Sequence, residues 1–125
     1  MIKSVLLIGL GGGIGSIARY FCQKWIADTI QHPFPWGTFA VNVLGCFLIG
    51  VIYAIAERTT MLSPQTRLLL ITGLCGGFTT FSTFAFENMN LMRSGDITYA
   101  VLYIVASVLL GIGAVFAGIG LIKLL

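Results

Sequence analysis

Four long apolar runs, separated by short joints that hold nearly all the charge, constrain this chain more than any other feature. They extend from about Val5 to Ala27, Trp36 to Ala56, Gln65 to Met92 and Ile97 to Ile122. Each supplies the roughly 20 residues that a helix rising 1.5 Å per residue needs to cross the hydrocarbon of a bilayer. Charged residues make up only 9% of the 125 positions, too few to coat a soluble domain, where about a quarter is usual. The sequence therefore predicts an all-α integral membrane protein in which residues 1–125 form a single unit of four transmembrane helices.

An even number of spans places both termini on one side. Lys3, Arg58, Arg67 and Lys123 fall on that side, Lys24 and Arg93 opposite, with Arg19 nearest the second side. So even a split is a weak instruction under the rule that cytoplasmic loops carry the excess of Lys and Arg, and insertion in both orientations is expected. The seven basic residues form no stripe or patch, so nucleic-acid binding is not expected. The first run is read as an uncleaved helix, since cleavage near Ser16 or Ala18 would remove most of it. Cys22, Cys46 and Cys75 lack metal-ligand spacing and read as small packing residues.

The joints carry clear punctuation. His32-Pro33-Phe34-Pro35 separates the first two spans, and Trp36 stands where an interfacial aromatic belongs. Ser63-Pro64 is an N-cap followed by proline at the first helical position. Arg93 and Gly95 close the third span, and Asp96 is expected to cap the fourth. Within the first span, Gly9 with Gly13 and Gly11 with Gly15 form overlapping GxxxG pairs; small residues of this kind let helix backbones approach closely in lipid. They do not read as a dinucleotide loop, because Ile14 stands where the last glycine belongs and no βαβ unit follows.

The third span interrupts itself. Gly73-Leu74-Cys75-Gly76-Gly77 is followed by Phe78-Thr79-Thr80-Phe81-Ser82-Thr83-Phe84 at mid-membrane depth. A continuous helix from Gln65 to Met92 would measure about 42 Å, against a hydrocarbon core of roughly 30 Å. A break near Gly76-Gly77 is expected. Non-helical backbone at that depth is tolerated only where protein buries it or where it lines a cavity or holds an ion.

Polar side chains inside a bilayer ask for a reason. Asn42, mid-span in the second helix, offers amide donors that either join helices or coordinate a permeating anion. Phe78, Phe81 and Phe84 recur every third residue as a ridge, and the positive edge of an aromatic ring attracts anions that its face repels. Glu87 shares a helical face with Phe84 and is a candidate gate or proton partner. Tyr103 and Ser107, four apart, present two hydroxyls to one stripe of the fourth span. No Ser/His/Asp set or paired carboxylates can be assembled within the spans, and the single histidine, His32, lies in a loop; an enzyme is not expected.

Three segments closely resemble the Fluc fluoride channels, also called CrcB proteins: Gly12-Gly13-Ile14-Gly15-Ser16-Ile17-Ala18-Arg19-Tyr20; Gly37-Thr38 with Val41-Asn42 and Gly45; and Gly73 through Phe84. The resemblance implies a bacterial inner-membrane channel that exports fluoride passively and protects the cell from it. It implies an antiparallel, dual-topology homodimer with two pores and a broken third helix. A structural sodium ion would be held at the dimer interface by the backbone carbonyls of Gly76 and Thr79. Phe81 and Phe84 would line the pore beside Ser82 and Thr83, Asn42 would be an amide ligand, Tyr103 and Ser107 would lie on a polar track, and Arg19 would be the vestibule cation. Gly111 and Gly113 stand farther along the fourth span where another hydroxyl of that track would be expected.

Two other readings stand beside this one. A small proton-coupled drug exporter of similar length would use an intramembrane carboxylate, but by resemblance that class carries it in the first span, which here has no acid until Asp28. A noncatalytic assembly subunit would explain the glycines and leave Asn42 and the Phe/Thr/Ser run without a use.

Overall fold

The computed structural model describes all residues, 1–125. Helix α1 spans Ile2–Thr29 and α2 spans Trp36–Arg58. The third helical run is composite: α3 (Pro64–Arg67), a π-helical stretch over Leu68–Cys75, α4 (Gly76–Phe78) and α5 (Phe81–Arg93). Helix α6 covers Ile97–Leu124. Four runs, Ile2–Thr29, Trp36–Arg58, Pro64–Arg93 and Ile97–Leu124, are long and apolar enough to cross a membrane. All four start and stop within a few residues of the apolar runs of the sequence.

Local chemistry sets these limits. Ser63 Oγ accepts the backbone N–H of Thr66 at 3.1 Å, with Pro64 at the first helical position. At the other end of the run Gly95 takes φ = 83°. Its N–H reaches the Met92 carbonyl at 3.2 Å and the N–H of Asp96 reaches the Leu91 carbonyl at 2.8 Å, which satisfies the last carbonyls of α5. Asp96 occupies the N-cap position of α6, but its side chain makes no capping hydrogen bond, so the expected carboxylate cap is replaced by backbone bonding alone.

Glycines set the packing. Helix α1 lies on the third run, where a Cβ built on Gly11 or Gly15 would overlap the carbonyl oxygens of Leu69 and Leu74, and one on Gly77 would meet Gly12. Helix α2 lies on α6 through Gly50 against the Val115 carbonyl and Gly118 against the Phe47 carbonyl. Of the two GxxxG pairs in α1, Gly11/Gly15 is used inside the chain, while Gly9 and Gly13 face open space.

The interruption of the third run differs in place from the sequence expectation. Gly76 and Gly77 are helical, Gly76 with φ −62° and ψ −37°. The extended residues are Thr79 (φ −94°, ψ 158°) and Thr80 (φ −150°, ψ 119°). Gly77 serves close approach to α1 rather than chain bending, and the non-helical pair is held by side chains described below. The extended pair also disrupts the three-residue ridge: Phe78 is buried, whereas Phe81 is 79% exposed.

Few residues are buried. The main cluster is Phe34, Leu91, Ala100 and Tyr103, with Phe39, Phe84 and Tyr99 packed against it. Elsewhere the helices turn large apolar side chains outward, among them Trp25, Leu109 and Phe116, a surface that lipid solvates and water does not.

Candidate functional site

The extended backbone at Thr80 is clamped by Asn42. The Asn42 Nδ2 donates to the Thr80 carbonyl at 3.0 Å, and the Thr80 N–H donates to Asn42 Oδ1 at 2.8 Å. An amide thus replaces, atom for atom, the donor and acceptor that a helical neighbour would have supplied, and one Asn42 N–H is left over. Thr80 Oγ1 in turn accepts the Thr83 N–H at 3.2 Å and starts α5. The Thr79 hydroxyl donates back to the Cys75 carbonyl at 3.0 Å, while no donor reaches the Thr79 carbonyl. An unpaired carbonyl oxygen at this depth is a ligand type that suits a hard monovalent cation, so Thr79 fits the sodium role the resemblance implies. Arg19 Nε donates to the Gly77 carbonyl at 3.0 Å and ties α1 to the turn before the extended pair.

Asn42, Phe81, Phe84 and Ser107 come together on one cavity of about 290 Å³, which Cys46 and Thr80 also line. The Ser107 hydroxyl is buried and has no hydrogen-bond partner. Phe81 and Phe84 lie 5.7 Å apart between ring centroids with their planes tilted at 43°. The cavity is therefore lined by an amide residue, a serine whose unpaired hydroxyl oxygen is itself buried, and two rings, with no lysine or arginine in its wall.

Tyr103 is not on that cavity. Its hydroxyl donates to Glu87 Oε1 at 3.0 Å, and its ring meets Phe84 edge-on at 4.8 Å. The expected shared stripe of Tyr103 and Ser107 is thus divided between two polar systems that Phe84 and Tyr103 join through their rings. Glu87 Oε2 accepts from Thr38 Oγ1 at 3.0 Å, and Thr38 Oγ1 accepts from Gln23 Nε2 at 3.0 Å. Gln23, Thr38, Thr83 and Glu87 line a second cavity of about 480 Å³ that also meets Lys24. Ser82 is exposed, with its hydroxyl 3.4 Å from Thr80 Oγ1.

The sequence reading assigned no role to Gln23 or Thr38. Thr38 had a signal, since it precedes Asn42 by four residues and Cys46 by eight, one face of α2. Gln23 had none beyond being an amide in an apolar run.

The family model described as CrcB-like protein, Camphor Resistance (CrcB), matches residues 6–119. A protein of Leptospira interrogans named fluoride-specific ion channel FluC is 50% identical over 121 residues, covering 97% of this chain and 95% of the relative. Relatives of the same name from Chlorobaculum tepidum (51%, 99% of this chain and 98% of the relative) and Phocaeicola vulgatus (52%, 94% and 97%) are similar throughout their length. A match of this extent, over all four spans and both cavities, means that the chain belongs to the CrcB family, whose members are channels and not enzymes.

Proposed function

We propose that the chain is a fluoride-selective channel that lets fluoride leave the cell passively across the inner membrane and so limits its toxicity. The observation that carries the reading is the cavity lined by Asn42, Phe81, Phe84 and Ser107, whose buried hydroxyl has no partner, in a chain about half identical to proteins named fluoride-specific ion channels.

Fluoride is small and tightly hydrated, so a narrow path must replace its water with convergent donors. Asn42 and Ser107 supply an N–H and an O–H, and the edges of Phe81 and Phe84 supply weaker positive potential between them. A full positive charge in a low dielectric would hold the ion too firmly to release it; several weak donors permit entry and exit. Glu87 acts at the vestibule side through its hydrogen bonds to Thr38 and Tyr103, and Arg19, which the same reading assigns to the vestibule, is held to the Gly77 carbonyl.

The working unit in this reading is an antiparallel, dual-topology homodimer with two pores, its third helices broken at the extended threonines. The carbonyls of Gly76 and Thr79 from each subunit would hold a sodium ion whose contribution is structural, neutralising carbonyl dipoles that lipid cannot satisfy. Anomalous scattering from a heavier monovalent substitute is expected to give one peak on the dimer axis. An empty axis would remove the sodium role.

Proteoliposome efflux of fluoride, chloride and a quaternary amine tests the function. Fluoride should pass far faster than the other two. Phe81→Ile and Phe84→Ile should cut fluoride flux in dimers that stay intact on gel filtration, and the volume-similar Phe→Met changes should do the same. Unchanged flux and selectivity in all of them would reduce the rings to packing. Amine export coupled to protons would transfer the assignment to a Glu87-based exporter.

A further inference from the structure

The largest cavity on the molecule lies away from both polar systems. Helices α2 and α6 pack most closely where Gly50 meets Val115 and Gly118 meets Phe47. Toward their C-terminal ends they enclose a cleft of about 640 Å³. Its apolar lining is Ala54, Ile119, Ile122 and the largely exposed Phe116, and Glu57, Arg58 and Lys123, in the last turns of the two helices, with Tyr53 a turn earlier, make up the rest. Cations in a last helical turn are common, because they complement the helix dipole, and Arg58 does donate to the Ile122 carbonyl. That does not explain the rest of the polar lining. Glu57 and Lys123 line the same cleft with no hydrogen bond or ion pair to each other or to Arg58, and the one ion pair of the chain, Lys24 with Asp28, lies on α1.

We propose that this cleft is a phospholipid site for a headgroup with both a phosphate and a primary ammonium, as in phosphatidylethanolamine. Lys123 and the remaining donors of Arg58 face the phosphate, Glu57 and the ring of Tyr53 take the ammonium, and an acyl chain lies along Phe116 and Ile119. A lining that is apolar along the helices and carries both signs of charge in their last turns matches such a lipid from chain to headgroup. A purely anionic headgroup leaves Glu57 unmatched. A choline headgroup has no N–H to donate to it.

Native mass spectrometry of the detergent-purified full-length protein, with equimolar phosphatidylethanolamine, phosphatidylcholine and phosphatidylglycerol, reads the site directly. The ethanolamine lipid should be retained in preference. Lys123→Gln should lower retention of the ethanolamine and glycerol lipids about fivefold, the effect of one interfacial cation. Glu57→Gln should abolish the preference of ethanolamine over glycerol lipid. Arg58→Gln also removes the bond to Ile122, so the other two variants, checked for intact assembly on gel filtration, decide the matter. Two outcomes overturn the proposal: equal or no retention of the three lipids by the parent protein, or retention indifferent to both variants. No retention would mean that the cleft is closed by protein in the assembly.

Discussion

Asn42 shows how one side chain can serve two ends. Its oxygen and one N–H are occupied by Thr80, so in the proposed pathway only the second N–H would be free for an ion, and the residue would hold the shape of that pathway as well as line it. Asn42→Ala leaves a backbone N–H and a carbonyl unpaired, each worth about 1–3 kcal/mol when buried. The expected result is a fall in thermal stability together with loss of flux. Asn42→Asp keeps the acceptor for the Thr80 N–H but sets a carboxylate oxygen against the Thr80 carbonyl and a negative charge in an anion path. An unpartnered buried charge costs more than an unpaired amide group, so this variant should melt no higher than the alanine variant and conduct no better. Ser107→Ala removes a hydroxyl that bonds nothing in the chain, so stability should be unchanged and fluoride flux should drop about tenfold, the worth of one hydrogen bond to a charged group. Unchanged flux would take Ser107 out of the pathway. Asn42, Phe81, Phe84 and Ser107 stood out one by one as polar and aromatic residues in apolar runs, but their grouping about one pore came from the family resemblance and not from the pattern of the residues. The pairing of Tyr103 with Glu87 was not, since helical spacing orders residues along one element and says nothing about which partner a neighbouring element brings to a hydroxyl.

At the level of elements, the four spans and their caps follow from run length, proline and glycine placement, which act locally. The π-helical stretch Leu68–Cys75 and the place of the interruption do not, because both depend on what α1 and α2 present to the third run. Glycine-rich sequence announces close packing without naming the face. The structure separates the faces: Gly15 abuts the Leu74 carbonyl, whereas Gly13, two residues away, has nothing within 4 Å. Gly15→Ala must therefore displace backbone and is expected to abolish a monodisperse peak on gel filtration. Gly13→Ala adds a methyl to open space and should leave the fold of the single chain intact, with a melting temperature near that of the parent. Equal damage from both would mean that the outward face of α1 is packed as tightly as the inward one, which points to a neighbouring subunit there.

For the molecule as a whole, the central question is how many chains make one path. Phe81 is 79% exposed although it stands on the cavity with Asn42 and Ser107. If Phe81 lines a water-excluded ion path, as proposed, its ring cannot face lipid, and the proposed second copy would supply the missing wall. The nearly even split of basic residues between the two sides supplies a way for that copy to be inverted, because neither orientation is strongly favoured during insertion. In the proposed inverted pair, the unpaired Thr79 carbonyls of both chains would meet at one axis, where a shared cation would satisfy them. Adding two or three lysines to the joint that holds Arg58 and Arg67 should bias every copy to a single orientation. Fluoride efflux from cells or proteoliposomes should then collapse although the protein is still made and inserted. Coexpression with a variant carrying the added lysines in the joint beside Lys24 should restore efflux, since the two populations insert oppositely and pair. Full efflux from either biased form alone would show that parallel copies, or a single chain, suffice, and the exposed Phe81 ring would then need a different neighbour.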